Sequence, residues 1–160
     1  NELLFYITRD YKQYITKPLE LALIKEEVEE IKKQIEIFIS TISYEVLKNE
    51  YVYSAAVYGL IYSTGYNAII EDNTSKGRID LTIVVDKKVV YIFHITFVIM
   101  EFKVLENQKE KGKALKQIKE KEYFKKYLNY EKIYLVGIEF DKVKKELVNF
   151  EYEVIGGVGK

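Results

Sequence analysis

One stretch sets the terms for the fold. Val89 to Met100 is the longest apolar run in the chain, yet it falls well short of the roughly 20 residues that a bilayer requires. It reads as a buried strand, entered from a tight turn at Asp86-Lys87-Lys88 that pairs it with the strand-like run Arg78 to Val85. A further strand at Tyr66 to Glu71, with a turn at Asp72 to Gly77, completes an antiparallel meander. Downstream, a lysine-rich helix from about Gln108 to Tyr127 precedes a second buried strand, Lys132 to Phe140, and a short strand near Leu147 to Val154. A helical crossing makes the strands on either side of it parallel, so the sheet is expected to be mixed, with helices on both faces.

Two helices are expected before the meander. From Pro18 to about Ser43, Ile24, Val28, Ile31, Ile35, Phe38 and Ile42 recur at alternating steps of four and three, the stripe of one long amphipathic helix. That stripe suits packing on its own domain, and it also suits a seam in a homodimer. The second helix runs from about Asn49 to Tyr62 and ends at Ser63-Thr64-Gly65. The expected organisation is an N-terminal strand-like segment and helix (1–43), a core (44–154) and a flexible tail (155–160).

Composition narrows the chemistry. The chain has no cysteine, which excludes disulfides, thiolate metal sites and a cysteine nucleophile, and its single histidine, His94, excludes any site with two imidazoles. Carboxylates, lysine, tyrosine or serine must carry any catalysis, with an oxygen-ligated metal such as Mg²⁺ as the natural helper. No secretory signal precedes the domain, so the cytoplasm is the expected location and no membrane partner is expected. The chain opens on Asn1 instead of Met, as expected of the tail of a longer polypeptide.

Three blocks stand out: Gly77-Arg78-Ile79-Asp80-Leu81, then Glu101-Phe102-Lys103-Val104, then Leu115-Lys116-Gln117-Ile118-Lys119-Glu120-Lys121. An aspartate in a buried strand costs several kcal/mol if it stays charged and unpaired, so Asp80 needs a partner, either a cation or a neighbouring base. Glu101 and Lys103 lie two apart and share one face of a strand, which sets a carboxylate beside an ammonium. Such a trio can hold Mg²⁺ against a phosphodiester and place a positive charge near the attacking oxygen. In isolation His94, between Phe93 and Ile95, reads as a core histidine.

The order Asp80, Glu101-x-Lys103, Gln117 resembles the signature of the PD-(D/E)XK nucleases. In finer wording it is similar to the nuclease-like domain that ends many bacterial and archaeal AAA-ATPase-like proteins. The resemblance runs from about Ile37 to Glu153. It implies an α/β fold, a three-layer α/β/α restriction-endonuclease-like core with a mixed sheet. It further implies Mg²⁺ (or Mn²⁺) bound by Asp80 and Glu101, with Glu50 as an outer ligand. Lys103 would orient the water or stabilise developing charge, and Gln117 would support the site from the crossing helix. The implied activity is phosphodiester hydrolysis of nucleic acid, with DNA as the expected substrate, beside a linked or associated ATPase domain.

Two features bear on that reading. Pairing about Asp86-Lys87-Lys88 places Asp80 across from roughly His94 or Ile95, so His94-Ile95-Thr96 sits where Glu-x-Lys is expected. Glu101 then lies about seven residues further along, on the order of 23 Å if the strand continues. Either a bulge or a shifted hairpin returns Glu101 to Asp80, or the register of the catalytic residues is broken. The second feature is charge. Overall, 25 basic residues balance 25 acidic ones, but Lys103 to Lys126 holds nine lysines against four glutamates, a local +5. This basic block is expected to border the site, with Arg78, Lys116, Lys119, Lys121 and Tyr123 as nucleic-acid contacts. Two readings follow: an active metal-dependent nuclease, or a silent module of the same fold that binds nucleic acid or protein.

Overall fold

The computed structural model describes residues 17–42, 45, 50–74, 78–98, 112–141 and 143–156, with the backbone alone at 50, 51, 54, 70–74, 78–80 and 123. Among the described residues three helices, α1 (Lys17–Lys25), α2 (Val28–Thr41) and α3 (Glu50–Tyr62), precede the strands β1 (Asn67–Thr74), β2 (Arg78–Val85) and β3 (Val89–Val98). Helix α4 (Lys113–Lys121) and a 3₁₀ turn (Tyr123–Tyr127) then lead to β4 (Lys132–Asp141) and β5 (Glu146–Gly156). The five strands form one sheet in the order β1-β2-β3-β4-β5, with β3 and β4 parallel and all other neighbours antiparallel. This is the mixed α/β sheet that the crossing helix predicts. Among the described residues, no helix is long and apolar enough to cross a membrane.

Alternation along the strands sorts the core into two layers. Leu81, Ile83, Tyr91, Phe93, Ile95, Val136, Ile138 and Phe140 pack beneath α1, α2 and α3. On the opposite face, Val90, Ile92, Ile133 and Leu135 pack against Ile118 of α4 and Tyr127 of the 3₁₀ turn. Tyr127 is therefore a core residue.

The single helix expected from Pro18 to Ser43 is two helices. Glu26 adopts a left-handed φ of 58°, and the Glu27 N–H returns to the Ala22 carbonyl at 3.0 Å, the closure of a Schellman turn. Glycine usually fills that position. Here Glu26 is held from afar: the Tyr134 hydroxyl donates to its Oε1 at 2.7 Å, and Lys132 Nζ lies 3.1 Å from the same oxygen. Burial raises the Glu26 pKa, but the Tyr134 and Lys132 hydrogen bonds and the Lys132 charge outweigh it and hold the carboxyl below its ordinary range. The stripe from Val28 to Phe38 is buried in the chain's own core, whereas Ile24 is exposed. Glu26→Ala should destabilise the protein more than Glu26→Gly, by about 1 kcal/mol, because both lose the tie but only glycine is at ease at positive φ. Urea unfolding of the two variants side by side is the measurement, and equal midpoints would show that position 26 carries no backbone strain.

The lysine-rich helix, expected from Gln108 to Tyr127, ends sooner than that, and 108–111 lie outside the described residues. It begins after Gly112 (φ 88°) and stops at Glu122 (φ 57°), where the chain changes to the 3₁₀ turn. In contrast, β5 is longer than expected: Ile155 and Gly156 pair with Ile133 and Lys132, inside the segment read as a tail.

Candidate functional site

The site is built where β2, β3 and β4 run under the first turns of α4. The hairpin turn sets the register. Asp86 and Lys87 have φ of 51° and 59°, and the Lys88 N–H closes on the Val85 carbonyl at 3.1 Å. Two successive positive φ values are what a I′ hairpin turn requires. From there β2 and β3 pair without a shift, and Asp80 stands opposite His94. Of the outcomes open to the sequence, a bulge or displaced hairpin is absent from the described pairing. Glu101 follows His94 by seven positions (94 to 101), and both Glu101 and Lys103 lie outside the described residues.

On the α4 side, the face that is apolar at Val90, Ile92, Ile133 and Leu135 turns polar toward the ends of β3 and β4. Thr82, His94, Thr96, Glu139 and Asp141 are all buried there. Position 80 has the same strand parity as Thr82, and so belongs to the same row.

Gly137, beside His94 in the parallel register, lets α4 come down onto this face. A Cβ at 137 would lie 2.4 Å from the Leu115 nitrogen and 2.9 Å from its Cα. The helix is thereby seated with Gln117 over β3, and Gln117 Oε1 lies 2.8 Å from His94 Nε2. The core-histidine expectation holds: His94 is 0% exposed and hydrogen-bonded.

Glu139 caps the same helix. Its Oε1 accepts from the Ala114 N–H at 3.3 Å, within the first turn of α4. Burial pushes its pKa up. The backbone N–H of Ala114, the Asn149 amide and the Lys113 N–H pull it down, and the charge of Glu151 adds to the rise. Asn149 acts by proximity, since its amide nitrogen makes no hydrogen bond among the described residues. Asp141 has a different task. Its Oδ1 accepts from the Val143 N–H at 2.8 Å and the Lys144 N–H at 3.2 Å, which folds the turn into β5.

The structure thus brings Asp80, Gln117 and the unassigned His94 to one place. Glu50 opens α3, whose side chains pack on the opposite face of the sheet. Lys116 and Lys119 lie off the Gln117 face of α4, whereas Lys121 follows Gln117 by four positions and shares it. Lys116 is exposed on the outer side of α4, while Lys119 turns toward β5 and pairs with Glu153 at 2.8 Å. Lys121 is half-buried, and Arg78 and Tyr123 are described only by backbone, at the start of β2 and of the 3₁₀ turn. Among the described residues no three His, Asp or Glu side chains are grouped to hold a metal ion. Sequence reasoning missed Glu139, although an acid inside the apolar run Lys132 to Phe140 is the same signal that singled out Asp80.

Comparison with known proteins identifies the family. Over 112 residues the chain is 36% identical to a protein of Azotobacter chroococcum mcd 1 described as "Uncharacterized protein in vnfD 5'region". The aligned region takes in 69% of this chain and 20% of that protein, so the chain spans about a fifth of its relative's length. No solved structure matches. The family model of the PD-(D/E)XK nuclease superfamily matches residues 48–150, from just before α3 into β5 and across every element of the site. The chain belongs to the PD-(D/E)XK nuclease superfamily.

Proposed function

We propose that this domain hydrolyses phosphodiester bonds of nucleic acid with Mg²⁺ or Mn²⁺, and that it works as the nuclease module of a longer polypeptide with an ATPase partner. One observation carries the reading: the hairpin and the seat of α4 bring Asp80 and Gln117 to the same stretch of β3 that leads to Glu101-x-Lys103. Asp80 and Glu101 offer oxygen donors, and His94 Nε2 is engaged with Gln117, so the donor set suits a hard cation. When bound, such a cation would lower the pKa of a water and polarise the phosphate. Lys103 would orient the attacking water, whose oxygen bonds to phosphorus as an ester P–O bond breaks and a proton passes to the leaving oxygen. Lys116 supplies an exposed charge for the phosphate backbone.

The unshifted hairpin favours a second reading. With His94-Ile95-Thr96 seated opposite Asp80, the module would bind nucleic acid without cutting it. A cleavage assay with Mg²⁺ and Mn²⁺ on DNA and RNA separates the two. Asp80→Ala and Lys103→Ala are each expected to lower cleavage by about 100-fold or more, the scale of losing a charged catalytic group. Equal cleavage by parent and both variants would sink the phosphodiesterase reading.

A further inference from the structure

We infer that His94 is a positioning residue for Gln117: it takes up the carbonyl end of the Gln117 amide and so turns the amide's two N–H donors toward the substrate phosphate. The inference deepens the phosphodiesterase reading and rests on it for the identity of the ligand. A glutamine amide has one accepting and one donating end, and it presents a defined end only when the other is held. Here the accepting end is held. Gln117 Oε1 lies 2.8 Å from His94 Nε2, so that nitrogen carries the hydrogen and donates.

The imidazole that does this is fixed. His94 is 0% exposed, on the central parallel strand pair, with Gly137 beside it and the α4 backbone pressed onto Gly137. Gln117, in contrast, is half-exposed, and among the described residues no other protein group accepts from its amide nitrogen. A buried donor therefore anchors one end of a side chain whose other end reaches outward, above the strand pair in which Asp80 opposes His94. Two N–H donors over a carboxylate-bearing strand fit an anionic oxygen, and they carry no charge that the neighbouring carboxylates would quench. The same geometry explains how a histidine can stand opposite Asp80 without serving as a ligand.

His94 is the only histidine in the chain, so its ring nitrogens can be read directly by ¹⁵N NMR of the whole labelled protein. The expected state is the Nε2–H tautomer. On adding a short single-stranded oligodeoxynucleotide, the Gln117 side-chain amide resonances should shift. Gln117→Glu preserves an acceptor for His94 but has no donor to present. It should keep the Nε2–H signature and the parent's unfolding midpoint while losing about 10-fold or more in oligonucleotide affinity. An Nδ1–H tautomer, an amide that the oligonucleotide leaves unmoved, or parent-like binding by Gln117→Glu would each overturn the inference. Amide shifts in a parent that cuts nothing would overturn the phosphodiesterase reading alone, whereas cleavage with an unmoved amide would overturn the inference alone.

Discussion

Gly137→Ala is expected to cost about 2–3 kcal/mol of stability and to break the His94–Gln117 contact, because the added methyl has nowhere to go. The atoms it would meet are the Leu115 nitrogen at 2.4 Å, the Leu115 Cα at 2.9 Å and the Ala114 carbonyl carbon at 3.0 Å. All three belong to the α4 backbone, so no side-chain rotamer can relieve the clash and the helix itself must lift. Two bonds depend on its seat: Ala114 N–H to Glu139, and His94 to Gln117. Lifting the helix should therefore lower the urea midpoint and change the His94 ¹⁵N signature together. Gly59→Ala is the matching control. Gly59 lies inside α3 with nothing within 4 Å of an added Cβ, so alanine there should stabilise by about 0.5–1 kcal/mol. A Gly137→Ala protein as stable as its parent would mean that α4 does not rest on β4 as described.

The parts of this molecule that were legible in the sequence are those fixed by neighbours along the chain. The turn at Asp86-Lys87-Lys88 is short enough to set the pairing by itself, and the observed Asp80–His94 pair is one of the two that counting from the turn allows. The parallel relation of β3 and β4 follows from a helical crossover between them. What was not legible depends on distant partners. The break at Glu26 is secured by Tyr134 and Lys132, more than a hundred positions away, so a periodic stripe gave no hint of it. Glu139 caps a helix through backbone N–H groups, which no side-chain pattern records. The lysines from Lys103 to Lys126 count as a +5 block along the chain. In space Lys119 is matched by Glu153 of β5, and of the lysines of α4 only Lys113 and Lys121, four positions either side, share the face of Gln117.

Glu139→Gln is expected to make the protein more stable at neutral pH and to flatten its pH dependence. Burial raises the Glu139 pKa more than the Ala114 and Lys113 N–H groups and the Asn149 amide lower it, so the native state holds this proton more tightly than the unfolded chain. The sign follows from linkage: the group's contribution is full below the ordinary glutamate range, where both states are protonated. It is lost as pH rises through the elevated native value. A glutamine at 139 still has a carbonyl oxygen to accept from the Ala114 N–H, and it never ionises. Its new amide N–H groups also face a suitable acceptor. Thr96 stands in register with Glu139, and its buried hydroxyl makes no hydrogen bond among the described residues. The urea midpoints of parent and variant should therefore lie close together near pH 4 and separate in the variant's favour toward pH 8. Glu139→Leu removes the acceptor as well as the charge and should lie about 1–2 kcal/mol below Glu139→Gln at every pH, the scale of a lost helix cap. If Glu139→Gln instead loses stability as pH rises, the ionised carboxylate is what holds the N-terminus of α4, and the helix dipole outweighs the cost of burial.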